Sequence, residues 1–187
     1  MRKLIELTHV SLGGEIDSPG EWGMPYLDDD HFTYSTDLLL GADALLLGRR
    51  TYEGLSAAYP AMDPTPLVTR MNTIPKYVAS RTLTRADWNA TVIDTDVVEF
   101  VSELKSQQGK DILKYGNGAL SATLLRHNLI DEFHLLLTPV AVGRGHHLFE
   151  ELDGAPALTL AATRQFASGV LALVYTPAAT SVRATAR

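Results

Sequence analysis

The chain has 187 residues, 45% hydrophobic and 20% charged, with a formal net charge of −6 and no cysteine. These values describe one globular domain with a sizeable core, and not a disordered chain. The acidic balance excludes nucleic acid as a main partner, and the lack of cysteine excludes disulfides, thiol catalysis and cysteine-ligated zinc.

Met1 to Glu6 reaches an acid too early to build a signal peptide's apolar core, and no apolar run approaches the ~20 residues of a membrane helix. A cytoplasmic protein without a membrane partner is expected. Lys3 to Val10 predicts a first strand, closed by Gly13-Gly14, and a loop rich in proline, glycine and aromatics runs from Pro19 to Tyr26. Asp28, Asp29 and Asp30 open a helix reaching about Leu40, since acids in a first turn suit the helix dipole. Asp43 to Leu47 is a strand apolar enough to be buried on both faces, and the helix after Thr51 ends before Pro60. Asp63 to Thr73 reads as a proline-punctuated loop, and Lys76 to Ala79 as a short strand ended by Ser80-Arg81-Thr82. A strand at Thr91–Ile93, a helix at Val97–Gln107 and a strand at Ile112–Tyr115 follow. Gly116-Asn117-Gly118 breaks that strand, and a helix runs from Ala119 to His127. Glu132 to Thr138 is a strand stopped by Pro139. Ala157–Phe166 and Val170–Thr176 then pair as a hairpin around Ser168-Gly169. Residues 1–177 form a single domain, and the small polar tail 178–187 is expected to fray.

Alternating strands and helices followed by a hairpin predict an α/β fold of three layers, αβα, with a mostly parallel mixed sheet and an antiparallel C-terminal hairpin. Ligands in such sheets sit at the carboxyl ends of the strands. Three turns fall there: Gly48 to Thr51, Ser80 to Thr82, and Gly116 to Gly118. At the first, Gly48 allows a sharp turn, and the free N–H groups of the next helix together with Arg49 and Arg50 favour a phosphate or pyrophosphate. The bland reading of the same stretch is an ordinary strand–turn–helix with solvated arginines. Gly116-x-Gly118 lacks the third glycine of a dinucleotide fingerprint, Ser121 standing there.

Over about residues 3–176 the chain resembles the dihydrofolate reductase-like superfamily, and more closely the reductase domain of the bifunctional riboflavin-biosynthesis deaminase-reductases. The resemblance is carried by Gly48-Arg49-Arg50-Thr51-Tyr52-Glu53, Ser80-Arg81-Thr82-Leu83, Tyr115-Gly116-Asn117-Gly118-Ala119-Leu120, and Leu129-Ile130-Asp131-Glu132-Phe133 leading to Thr138-Pro139 and Gly143-Arg144-Gly145. It implies NADPH as hydride donor, with Gly48, Arg49, Arg50 and Thr51 on cofactor phosphates. Ser80, Arg81 and Thr82 would take the adenosine 2′-phosphate, and Gly116, Asn117, Gly118 and Ala119 would admit the pyrophosphate. No acid follows Ala79-Ser80-Arg81, which favours NADPH over NADH.

The resemblance further implies a reductase of a small pterin- or aminouracil-like heterocycle, similar to 5-amino-6-(5-phosphoribosylamino)uracil reductase and often a homodimer, with the apolar Phe133–Val142 segment a candidate for the interface. Dihydrofolate reductase proper and a non-catalytic NADP(H)-binding protein are the alternatives. The family's acid on the first helix, after a Met-Pro-aromatic stretch, maps here onto Asp30, with Asp29 next; capping the helix is the competing role for these aspartates. Trp22 and Tyr26 either wall a flat heterocycle or pin their loop to the core. Relatives carry Ser-Leu-Asp-Gly after the first strand where this chain has Ser11-Leu12-Gly13-Gly14, so an acid is missing. His146-His147 with Glu150-Glu151 reads as polar surface, and no metal is expected. His134 is expected to be a hydrogen-bonded structural residue, and Tyr52 core packing beneath the first turn.

Overall fold

The computed structural model describes residues 1–178. Its strands are β1 (Leu4–Ser11), β2 (Ala42–Gly48), β3 (Lys76–Ala79), β4 (Ala90–Ile93), β5 (Asp111–Tyr115), β6 (Glu132–Thr138), β7 (Leu158–Gln165) and β8 (Leu171–Pro177). The helices are α1 (Pro19–Trp22), α2 (Asp29–Gly41), α3 (Arg49–Ala58), α4 (Pro66–Thr73), α5 (Val97–Ser106) and α6 (Ala119–Arg126). One sheet takes the order β4-β3-β2-β5-β1-β6-β8-β7. The pairings from β4 to β6 are parallel, and those of β8 with β6 and β7 are antiparallel.

Period-two alternation sends neighbouring side chains of each strand to opposite layers. Ile5, Leu7, Leu45 and Leu47 pack with Leu39 of α2, Tyr52 of α3 and Met71 of α4. Leu4, Leu46, Ile112 and Phe133 pack with Val101 and Leu104 of α5 and Leu124 and Leu125 of α6. Ala44–Leu47 is buried throughout, as a strand covered on both faces must be. The helix after β2 thus covers one face while the helix after the adjacent β5 covers the other. That divergence opens a crevice at the carboxyl end of β5.

Several expectations are corrected. Residues 66–73 are helical, because Pro66 stands at the first helical position, where its missing N–H costs nothing, and the Thr65 hydroxyl accepts from Val68 N (3.2 Å). The Pro19–Tyr26 loop contains α1 and a 3₁₀ turn at Met24–Tyr26. The third helix begins at Arg49, ahead of Thr51, so both arginines belong to its first turn. Residues 133–138 lie in an interior strand hydrogen-bonded on both sides, so this part of the expected interface segment offers no free sheet edge to a second chain. Of the two edge strands, β4 and β7, it is β7 that is exposed along most of its length. Of the expected tail, Ala178 still donates to Ala157 O (2.9 Å), and residues 179–187 lie outside the described residues.

Candidate active site

Register sets the three turns side by side: Gly48 pairs with Ala79, and Leu47 with Tyr115. Gly48 ends β2 and starts α3, and Gly118 (φ 144°) starts α6; neither helix has a side-chain cap. By contrast, α2, α4 and α5 are capped by Asp28, Thr65 and Asp96. Two adjacent helix starts therefore present free N–H groups to the same rim. Gly116 (φ 75°) is needed twice over: its backbone is left-handed, and a Cβ there would come within 3.0 Å of the Thr51 hydroxyl oxygen. Arg49, Arg50 and Arg81 are exposed. Arg49 meets only Glu53, at 3.4 Å, and neither Arg50 nor Arg81 has an ion pair among the described residues. The Ser80 hydroxyl accepts from Thr82 N (3.2 Å) and Leu83 N (2.9 Å), which fixes the turn that displays Arg81.

Beneath the glycine turn lies a buried polar network that the sequence reading missed. Glu6 and Lys114 are register partners on β1 and β5, 0% and 2% exposed, with Nζ 3.0 Å from Glu6 Oε2. The same ammonium donates to Gly116 O and to the Ser121 hydroxyl (2.7 Å). Asn117 turns inward, donating to Glu6 Oε1 (2.7 Å) and accepting from Phe149 N (3.0 Å). What the turn offers a ligand is therefore its backbone, with the Asn117 side chain engaged inside the protein. A charge inside each of two apolar strands was the available signal.

The first turn of α2 divides its side chains. Asp28 caps through His31 N (2.8 Å) and also accepts from Ser168 N (2.7 Å). Burial raises its pKa, but these N–H donors outweigh that and hold the carboxyl below its usual range. Asp30 pairs with Arg164 (2.6 Å) and accepts from Ala167 N (3.1 Å), which ties it to the β7–β8 corner. Asp29 is exposed. Neither of these candidate catalytic acids is hydrogen-bonded to the three turns. The side chain that α2 turns toward β1 is His31, whose ring lies 5.0 Å from that of His9. His9 is half-buried, and neither of its ring nitrogens has a hydrogen-bond partner among the described residues. Burial, with His31 beside it, pushes His9 down to about 3, and burial also lowers His31.

Two loops flank the rim. Trp22 Nε1 donates to Asp17 O (2.7 Å) and Tyr26 OH reaches Pro139 O (3.4 Å), so both aromatics pin the loop in which they lie. Trp22 also lines an open cleft of about 760 Å³ with Asp17, Val142 and Arg144. Across it His146 Nδ1 pairs with Asp17 (2.7 Å). Position 13 lacks an acid, and the Glu15 carboxylate folds over Gly13 into space that a Cβ would need. Buried Glu15 accepts from the Ser11 hydroxyl and from Gly143 N (2.7 Å). Among the described residues no three histidine or acid groups converge as metal ligands. His134 is held between Tyr34 OH (2.6 Å) and Glu132 (3.1 Å), and Tyr52 is buried with its hydroxyl on Asp87, as a structural reading requires.

The sheet order and the rim define an α/β protein of the dihydrofolate reductase-like fold. A structure of dihydrofolate reductase from Enterococcus faecalis complexed with NADP(H) superposes with a TM-score of 0.60 at 17% identity, covering 92% of this chain and 93% of that one. The bifunctional diaminohydroxyphosphoribosylaminopyrimidine deaminase/5-amino-6-(5-phosphoribosylamino)uracil reductase of Thermotoga maritima gives 0.67 at 14% identity, over 95% of this chain and 57% of that one. Residues 3–172 match the RibD C-terminal domain, and the chain belongs to that family. A relative, uncharacterized protein YyaP of Bacillus subtilis, is 34% identical over 93% of this chain and 94% of its own.

Proposed function

We propose that the protein is an NADPH-dependent reductase that transfers hydride to a small pterin- or aminouracil-like heterocycle, in the manner of 5-amino-6-(5-phosphoribosylamino)uracil reductase. The observation that carries this is the convergence of three turns on β3, β2 and β5, with two uncapped helix starts and three exposed arginines. Bound NADPH would supply the hydride. Arg49, Arg50 and Thr51 grip phosphate with the N–H groups of α3, Ser80, Arg81 and Thr82 take the 2′-phosphate, and the backbone from Gly116 to Ala119 admits the pyrophosphate. The accompanying proton comes from water, with Asp29, exposed at the start of α2, as the acid offered for it, while Asp30 clamps the β7–β8 corner. Trp22, at the edge of the cleft, faces the substrate, with Tyr26 anchoring the segment behind it.

In the same reading the chain works in the cytoplasm as a homodimer, with the exposed strand β7 placed to supply the contact. Sedimentation equilibrium returning a monomer at micromolar concentration would remove that part. The function is tested by fluorescence titration with NADPH beside NADH. A clear preference for NADPH supports the phosphate grip, and binding of neither sinks it.

A further inference from the structure

The charges buried beneath the glycine turn have no task in the cofactor reading. Period-two alternation puts Glu6 on the face of β1 that carries Leu4 and Val10, and Lys114 on the face of β5 that carries Ile112. Two aliphatic side chains there would extend that apolar layer, and exchanging a buried ion pair for packed apolar groups is often neutral or stabilising. Stability therefore gives no reason for charge at these positions. Their contacts give one. Lys114 Nζ donates to Gly116 O and to the Ser121 hydroxyl (2.7 Å) in the first turn of α6, so one ammonium clamps both sides of the turn. Glu6 holds that ammonium through Oε2 (3.0 Å) and accepts from Asn117 Nδ2 on Oε1 (2.7 Å). Asn117 Oδ1 in turn accepts from Phe149 N (3.0 Å), which secures a residue at φ 63°, a conformation costly for an aromatic side chain. Gly116 N donates to Leu7 O (2.9 Å), whereas the N–H groups of Asn117 and Gly118 have no partner among the described residues.

We infer that Glu6, Lys114 and Asn117 are positioning residues: together they lock the glycine turn in the shape in which its free N–H groups meet the oxygens of a diphosphate. This rests on the cofactor reading of the turn and adds the device that prepares it. Gly116 (φ 75°) and Gly118 (φ 144°) are two joints with no side chain to limit them, so the turn left to itself would sample many shapes. A turn that already holds its bound shape loses little freedom when the ligand arrives, and affinity rises accordingly. The three side chains point into the protein and act through the backbone they hold. Because Glu6 neutralises Lys114 at contact distance, what the pair delivers to the rim is shape rather than charge.

The test compares the whole wild-type protein with the double variant Glu6→Leu/Lys114→Met, which exchanges the ion pair for apolar groups, and with Asn117→Ala. Each is titrated calorimetrically with NADPH and with inorganic pyrophosphate, and unfolded in urea. The backbone amide signals of Gly116 and Gly118 are followed by NMR without ligand. Wild type is expected to give one sharp signal for each glycine. The double variant should give broadened or doubled signals and lose tenfold or more in affinity for both ligands, with a urea midpoint close to wild type. A loss of affinity with the two signals as in wild type overturns the proposal, and so do altered signals with affinity unchanged. If the double variant does not fold, Asn117→Ala, which keeps the ion pair, decides by the same two readouts. NADPH binding that survives undiminished in both variants would leave the reductase reading and remove this one. Wild type binding neither NADPH nor pyrophosphate would remove the cofactor reading, and the amide signals alone then decide whether the three residues fix the turn.

Discussion

Arg49 and Arg50 occupy the first turn of α3, where the positive end of the helix dipole disfavours a cation by about 0.3–1 kcal/mol. Placed there without an acid in that turn, they cost the empty protein stability and repay it only when an anion arrives. Arg49→Ala should thus leave the melting temperature of the ligand-free protein unchanged or slightly higher, while raising the NADPH dissociation constant tenfold or more. The expected loss is that of a charge-assisted hydrogen bond, about 1.5–3 kcal/mol. Calorimetry and titration on one preparation check both halves. Lys114 makes the opposite case. Replacing it with Met strands a buried Glu6 carboxylate, at a cost of about 3–5 kcal/mol in urea unfolding, and adding Glu6→Leu should restore much of it. The arginine turn was legible because glycine and paired charge mark it locally. His9, Glu15 and the inward Asn117 were not, since each takes its role from a residue distant in sequence.

At the scale of elements, the pin between Asp17 and His146 joins the segments after β1 and β6. The Asp17 carboxylate raises the His146 pKa above its ordinary 6.5, with Glu150 assisting and Arg50 opposing. N–H groups of His146 lower Asp17 below 3.8. The raised histidine contributes fully below 6.5, and its share is lost as pH rises through the shifted value. The lowered aspartate contributes above 3.8 and fades only as pH falls through its own shifted value. The pin is thus strongest between those limits and loosens on the alkaline side. Fluorescence of Trp22, bonded to Asp17 O, should change as pH rises through the raised His146 value, above 6.5, in wild type and stay flat in His146→Gln. A wild type as flat as the variant would show that the pin does not govern this segment. Elements themselves were read well where apolar period is strong, as in β2 and α5. Reading Asp63 to Thr73 as a proline-punctuated loop misses helix α4, because threonine before proline is also a helix start.

For the whole molecule, the proposed binding of a cofactor at the shared rim of β3, β2 and β5 would link ligand to global stability. NADPH at a hundred times its dissociation constant should add about 2.7 kcal/mol. That corresponds to a rise of roughly 5–10 °C in melting temperature for a chain of this size. Differential scanning calorimetry checks it, and a shift equally large with NADH at the same concentration would remove the 2′-phosphate site. Layering and hairpin were visible in the order of elements, but the neighbours of each strand were not, because periodicity says which face is buried and not which strand lies alongside. The insertion of β5 between β1 and β2 is the main such case. Leu4 must wait for Ile112, and Leu45 for Leu113, before either central strand gains its inner partner. On the ribosome, β1 through β4 emerge with β1 and β2 unable to join. A nascent chain halted before Asp111 holds an open seam for chaperones or proteases, and the sheet closes only once β5 has left the exit tunnel.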